Sequence, residues 1–269
     1  MGSFLSIIAV GFFLGMRHAT DPDHVIAVTT TVTRQRQLTR AALTGAFWGV
    51  GHTLTIFVVG TMIILFNVII PTRVGLSMEF SVAVMLIVLG IMNVAAFMRS
   101  ASAISRAASV DSDAVHVHPH AHGDYIHTHA HGHSPGTHSH SSGSTPLALL
   151  DRLFGKLAIY RPLRPFIVGV VHGLAGSAAV ALLVLAAIPN PRWAVAYLLV
   201  FGAGTVGGMM LITMSIASAF TFMGKGRQKF SQRLALISGL LSLAFGLLLV
   251  YQIGFAGGLF TSHPHWLPR

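Results

Sequence analysis

Hydrophobic residues run in six long stretches along this chain, near Phe4 to Thr33, Ala41 to Phe66, Ser77 to Met98, Pro165 to Ile188, Trp193 to Phe222 and Ser231 to Phe260. Each is long enough to cross the hydrocarbon of a bilayer, about 30 Å, which takes about 20 apolar residues in a helix. The pattern predicts an all-α integral membrane protein of about six spanning helices. Between the third and fourth stretches, Arg99 to Arg164 is polar, and its middle is rich in His, Ser, Gly and Pro without apolar periodicity. That middle is predicted to lack regular structure without a ligand. The chain divides accordingly into a first three-helix unit over residues 1–98, a His-rich loop over 99–164 and a second three-helix unit over 165–269.

The halves resemble one another. Gly15-Met16-Arg17-His18-Ala19 aligns with Gly169-Val170-Val171-His172-Gly173, and Gly49-Val50-Gly51-His52-Thr53 with Gly202-Ala203-Gly204-Thr205-Val206. Gly90 and Gly246 hold similar places in the third and sixth stretches. Units with an odd number of helices must be inverted relative to each other, which predicts a 3+3 inverted repeat of the kind secondary transporters use for two-sided access.

Composition removes the soluble alternative: 53% of residues are hydrophobic and 9% charged, and mean hydropathy is +0.72. The net charge of +10 would suggest nucleic acid in a soluble protein. Here the basic residues are scattered between apolar stretches, so the charge describes topology and no nucleic-acid partner is expected. Arg34, Arg36, Arg40, Arg99, Arg106, Arg152, Lys156, Arg161, Arg164, Lys225, Arg227, Lys229 and Arg233 fall on one side of six alternating helices, against Arg73, Arg192 and Arg269 on the other. The positive-inside rule makes the first side cytoplasmic. This places both termini outside and the His-rich loop inside a plasma (inner) membrane. The first stretch lacks a basic leader and is expected to persist in the mature protein.

The chemistry concentrates in the first stretch, at Arg17-His18-Ala19-Thr20-Asp21-Pro22-Asp23-His24. Each ionisable group at bilayer depth costs about 2.5–3.5 kcal/mol on insertion scales, and a bound cation offsets several at once. Pro22 removes a backbone donor and disfavours helix at Asp21, so the first helix is predicted to break at Pro22, with Asp21 capping the following half. On an unbroken helix His18 and His24 would sit about 120° apart; an unwound turn lets both face one metal. His18, Asp23 and His24 then form a compact N/O donor set, with Asp21 as a fourth ligand or as the group that orients an imidazole. Arg17 is expected to balance the aspartates when the site is empty. With no cysteine in the chain, disulfides and thiolate sites are excluded, which favours Ni, Co, Mn or Zn over Cu(I).

His52 in the second stretch and His172 in the fourth join as candidates. His52 either completes the metal set or satisfies a helix interface, and His172 is a further ligand, a proton-coupled gate or an interhelical hydrogen bonder. The loop carries His116, His118, His120, His122, His127, His129, His131, His133, His138 and His140, a multivalent tract of low specificity that could buffer metal, load it or pass it to a cytoplasmic metallochaperone.

Arg17 to Ile26, reading RHATDPDHVI, resembles the signature of the nickel/cobalt transporter family (NiCoT), an H-x4-D-H helix usually written RHA-x-DADHI. The resemblance implies metal recognition by His18, Asp23 and His24, and Gly51-His52-Thr53 is similar to the family's second, Gly-His block. Where larger members carry a Phe-Asp-Thr-Ala-Thr-Glu pattern, this chain has Val170-Val171-His172-Gly173-Leu174-Ala175-Gly176-Ser177, which looks like the shorter, urease-associated nickel permease branch. The expected activity is secondary transport of Ni2+ or Co2+ by uptake, with the ion as cargo, no resident cofactor and no enzymatic step. The alternatives are an exporter, for which the loop would collect excess metal, a metal sensor without flux, and a membrane-embedded zinc hydrolase. The hydrolase lacks an acid to activate water, because the intramembrane acids, Asp21 and Asp23, both belong to the metal set.

Overall fold

A computed structural model describes residues 2–32, 37–66, 68–108, 115–122, 125–132, 163–175, 188, 190–222 and 227–266. The helices are α1 (Gly2–His18), α2 (Pro22–Val32), α3 (Leu38–Phe66), α4 (Thr72–Ala108), α5 (Leu163–Ala175), α6 (Pro191–Phe222) and α7 (Arg227–Tyr251), the last passing into a π-helical turn at Gln252–Ala256. Four of them, α3, α4, α6 and α7, are long and apolar enough to cross a membrane. Against the expected six, the described residues hold four such long helices. The first stretch is divided between α1 and α2, and the fourth is described only over α5, residues 176–187 lying outside the described residues.

The division falls where proline chemistry puts it. Thr20 N–H bonds Arg17 O at 2.8 Å and Asp21 N–H bonds His18 O at 3.1 Å, a tightened turn that ends α1, and Pro22 opens α2 at the position where a missing N–H is tolerated. The carbonyl of Asp21 accepts Val25 N–H at 3.0 Å, as an N-cap residue's does. Its carboxylate does something else, described below.

The long helices pack in pairs, α3 on α6 and α4 on α7, with α1 lying against α6 and α2 against α7, α6 and α4. Trp48, Ala27, Val28, Leu86 and Met209 fill the space between them. On the outside of α3, Val50, Leu54, Val58, Met62 and Leu65 are exposed at spacings of four, four, four and three. Water would reject this continuous apolar stripe, and lipid accepts it.

Between α4 and α5, the polar segment departs from the expectation of no regular structure. Val115–His122 and Tyr125–Gly132 form a two-stranded antiparallel ribbon, pairing His116 with His131, His118 with His129 and His120 with His127. The alternation of His with Val, Pro, Ala, Thr and Gly is itself a period-2 strand pattern. Helix α4 also continues past Met98 to Ala108.

Close helix approach rests on glycines at the crossings. A Cβ on Gly15 would meet the Phe201 carbonyl oxygen and come within 2.9 Å of Thr205 N, whereas one on Gly207 would meet nothing within 4 Å. Gly15→Val is therefore expected to destabilise the solubilised protein by about 1–3 kcal/mol or more through overpacking, while Gly207→Ala leaves stability unchanged or raises it by up to about 1 kcal/mol. Denaturation curves of the two variants in one detergent check both signs.

Candidate metal centre

His18 occupies the last turn of α1, Asp21 the break, and Asp23 and His24 the first turn of α2. His52 comes from the middle of α3 and His172 from α5. Helices α3 and α5 meet backbone to backbone beside both imidazoles, since a Cβ on Gly51 would strike the Phe166 carbonyl and one on Gly169 the Trp48 carbonyl. The Thr55 hydroxyl bridges the seam, within 3.2 Å of Gly51 O and 3.1 Å of Val170 O. Thr53 ties α3 to α6 through Gly202 O at 3.2 Å.

All six intramembrane candidates are brought together. Asp23 accepts from two imidazoles, His172 Nε2 at 2.8 Å and His24 Nδ1 at 3.1 Å. His18 lies between Asp21, whose Oδ2 is 2.8 Å from Nδ1, and His52, whose Nε2 is 3.0 Å from His18 Nε2. His24 is central, its ring 4.1 Å from that of His172 and 4.8 Å from those of His18 and His52. His24, His52 and His172 are at most 2% exposed.

Proton bookkeeping follows from what each group can accept. Carboxylates only accept, so the nitrogens facing them carry the protons: Nδ1 of His18 and His24, and Nε2 of His172. Neutral His18 then offers a lone pair at Nε2, which His52 Nε2–H satisfies. This tautomer set, assigned from the bonding pattern, leaves bare lone pairs at His24 Nε2, His52 Nδ1 and His172 Nδ1. Those are the three buried imidazole nitrogens without a hydrogen-bond partner among the described residues. An unpartnered buried acceptor is unfavourable by about 1–3 kcal/mol, and a divalent cation is a natural occupant for several imidazole lone pairs in one place. Two groups have donor atoms mutually within 4.8 Å, His18 with His24 and His52, and Asp23 with His24 and His172.

Two expectations need correction. Asp21 turns its carboxylate onto the half-buried imidazole of His18, three residues back, instead of capping α2, and so takes the orienting place that was the other expectation for it. Arg17 is exposed and pairs with neither aspartate, both of which are already met by imidazoles. Sequence reasoning passed over Trp48 and Phe201. Trp48 is fully buried, with its ring 6.0 Å from His172 and its Nε1 unpartnered among the described residues, and Phe201 lies 5.5 Å from the His18 ring. The signal for Trp48 was its place four residues before His52, on the same face of α3.

In the loop tract, His116, His118, His120, His122, His127, His129 and His131 lie on the ribbon, and His133, His138 and His140 lie outside the described residues.

Comparison with known proteins gives two likenesses. A family profile described as NicO, high-affinity nickel-transport protein, matches residues 4–156. Over 258 residues, 95% of each chain, the sequence is 33% identical to the urease accessory protein UreH of Bacillus sp. (strain TB-90). No solved structure matches.

Proposed function

The chain belongs to the NicO family of high-affinity nickel-transport proteins, and from that premise we propose that it is a permease taking up Ni2+ through the His/Asp cluster at the break between α1 and α2. It is a multi-pass membrane protein and a transporter, not an enzyme. The observation that carries the site is the convergence of four imidazoles and two carboxylates inside the helical bundle, with three buried ring nitrogens left for a ligand. In this reading His18, His24, His52, His172 and Asp23 replace the water of hydration of Ni2+, Asp23 also aligning two of the imidazoles in the empty site, and Asp21 aligns His18. Carboxylates that accept the second N–H of a metal-binding imidazole fix its orientation and raise its basicity.

Six spans in a 3+3 inverted repeat complete the proposal. The glycine contacts support it, because they recur in pairs under the alignment of the two halves. Gly15 faces Phe201 and Thr205 as Gly169 faces Trp48 and His52, and Gly204 faces Phe12 as Gly51 faces Phe166. Gly90 faces Gly239 and Leu243 while Gly246 faces Ala83 and Ile87. Contacts exchanged in this way are what a two-fold relation between the halves requires.

Uptake is favoured by topology and energetics. With the basic loops cytoplasmic, a divalent ion moving inward across 100 mV gains about 4.6 kcal/mol, twice the value for unit charge. Likeness to a urease accessory protein points the same way, since metal for an enzyme's use is moved toward it. The His tract then receives ions on the cytoplasmic side of the plasma membrane and passes them to a metallochaperone. Export is the reading favoured by the same tract if it collects metal for removal.

Radioactive nickel flux in proteoliposomes with an imposed potential tests the proposal. The parental protein accumulates nickel when the interior is negative, His18→Ala falls to the level of empty vesicles, and deletion of residues 115–140 changes apparent affinity while flux persists. Undiminished flux in His18→Ala would overturn the site, and flux driven only by an interior-positive potential would overturn uptake. Separately, Asp23→Asn is expected to weaken Ni2+ binding about 10–100-fold, the usual effect of losing a carboxylate behind metal-bound imidazoles; calorimetric titration of the solubilised protein reads it.

A further inference from the structure

The donors of the cluster are not arranged around a single point. His18, His24 and His52 form one group with donor atoms mutually within 4.8 Å, and Asp23, His24 and His172 form another. His24 alone is common to both. The rings of His52 and His172 are 5.9 Å apart, farther than either lies from His24.

We propose that these are two successive stations for one ion, and that His24 carries the ion from one to the other. The inference rests on the transport reading above and divides its site. Metal–nitrogen bonds of about 2.0–2.1 Å put neighbouring ligand atoms about 2.8–3.4 Å apart for angles from square to tetrahedral. Each group already contains such an edge. His18 Nε2 and His52 Nε2 are 3.0 Å apart in the first, and His172 Nε2 and Asp23 Oδ2 are 2.8 Å apart in the second. In the empty site a proton lies between the members of each pair, and His52 or His172 frees its Nε2 by carrying that proton on its unpartnered Nδ1 instead. An ion then finds one ligand pair of each station at binding separation and needs only the third donor, which is His24 in both cases.

Simultaneous occupancy is disfavoured. A neutral imidazole has one lone pair, so His24 would have to lose its second proton to bridge two ions. The dications would then lie only one ring apart in a poorly screened interior, with four times the repulsion of unit charges at the same separation. Occupancy alternates instead. The first station is reached through His18, which is 15% exposed and paired to the 46%-exposed Asp21; the second station's own carboxylate, Asp23, is 27% exposed. Each station thus has its own partly exposed edge, and the almost fully buried His24 lies between them.

The test uses the full-length chain with its tract histidines replaced by Asn, so that Ni2+ bound at the cluster is counted alone. His52→Ala disables the first station, His172→Ala the second and His24→Ala both. Expected are a single tight Ni2+ equivalent retained in His52→Ala and in His172→Ala, loss of tight binding in His24→Ala, and loss of liposome flux in all three. X-ray absorption on bound Ni2+ should show a carboxylate ligand in His52→Ala and none in His172→Ala. Where an Ala variant does not elute as a single species, His52→Asn and His172→Asn keep a hydrogen-bonding group at the position and serve instead. If His52→Ala and His172→Ala each lose binding as completely as His24→Ala, the cluster is one undivided site and the two-station inference falls while the transport site stands. Flux surviving in either of them also overturns the hand-over. Parental binding in all three variants would instead sink the site itself.

Discussion

A carboxylate held within a lipid-facing bundle needs partners of its own, and Asp23 has two, imidazoles from its own helix and from α5. That paired acceptance joins the halves of the chain at the centre of the molecule. It fixes which nitrogen of His24 and of His172 carries a proton, and so which nitrogen is left bare. The other carboxylate, Asp21, does the same for His18, and through it for His52. Two acidic groups therefore organise four imidazoles, and among the described residues no Lys or Arg pairs with either of them. The arrangement leaves nitrogens of His24, His52 and His172 turned away from the carboxylates and open to a ligand, which suits a cargo that must bind and then leave.

Bringing imidazoles from four helices together requires backbones to approach more closely than side chains normally permit. The chain meets this with glycine at the contact and threonine to spare the exposed carbonyls. Beside His52, a Cβ at Gly173 would stand 2.6 Å from the His52 carbonyl, and the Thr55 hydroxyl reaches across to Val170 O. Farther out, Asn93 donates to Thr30 O at 2.9 Å and Ser242 to Leu86 O at 2.8 Å, joining α4 to α2 and α7 to α4. In lipid, where apolar burial supplies little drive for helix association, such polar contacts and close packing set the geometry.

Much of the centre was legible in the sequence because its signals are local. Pro22 announces the break, and ionisable residues in an apolar stretch stand out whatever their partners. The four long helices were equally plain from length alone. What was not legible depended on three dimensions. Arg17 belongs to the same short motif, yet it faces outward once helical geometry turns it away, and Asp21 is drawn to His18 by a proximity that exists only after the chain folds. The ribbon of the His tract was not legible because an alternation of His with small residues carries no apolar periodicity. Trp48 was hidden among ordinary core aromatics, with only its spacing from His52 to distinguish it.

The break in the first membrane stretch also divides a single piece of chain between different supports. Helix α1 is seated on α6, while α2 leans on α7 and α4 as well as on α6, reaching α4 through Thr30. His18 is thus carried mainly by one support, and Asp23 and His24 by several. Any sliding or tilting between those supports is absorbed at Ala19, Thr20 and Asp21, where the ladder of α1 tightens and ends before that of α2 begins. Those residues act as a joint whose angle sets the separation of His18 from His24, so a motion spread over tens of ångströms of helix is concentrated into a change in one interatomic gap.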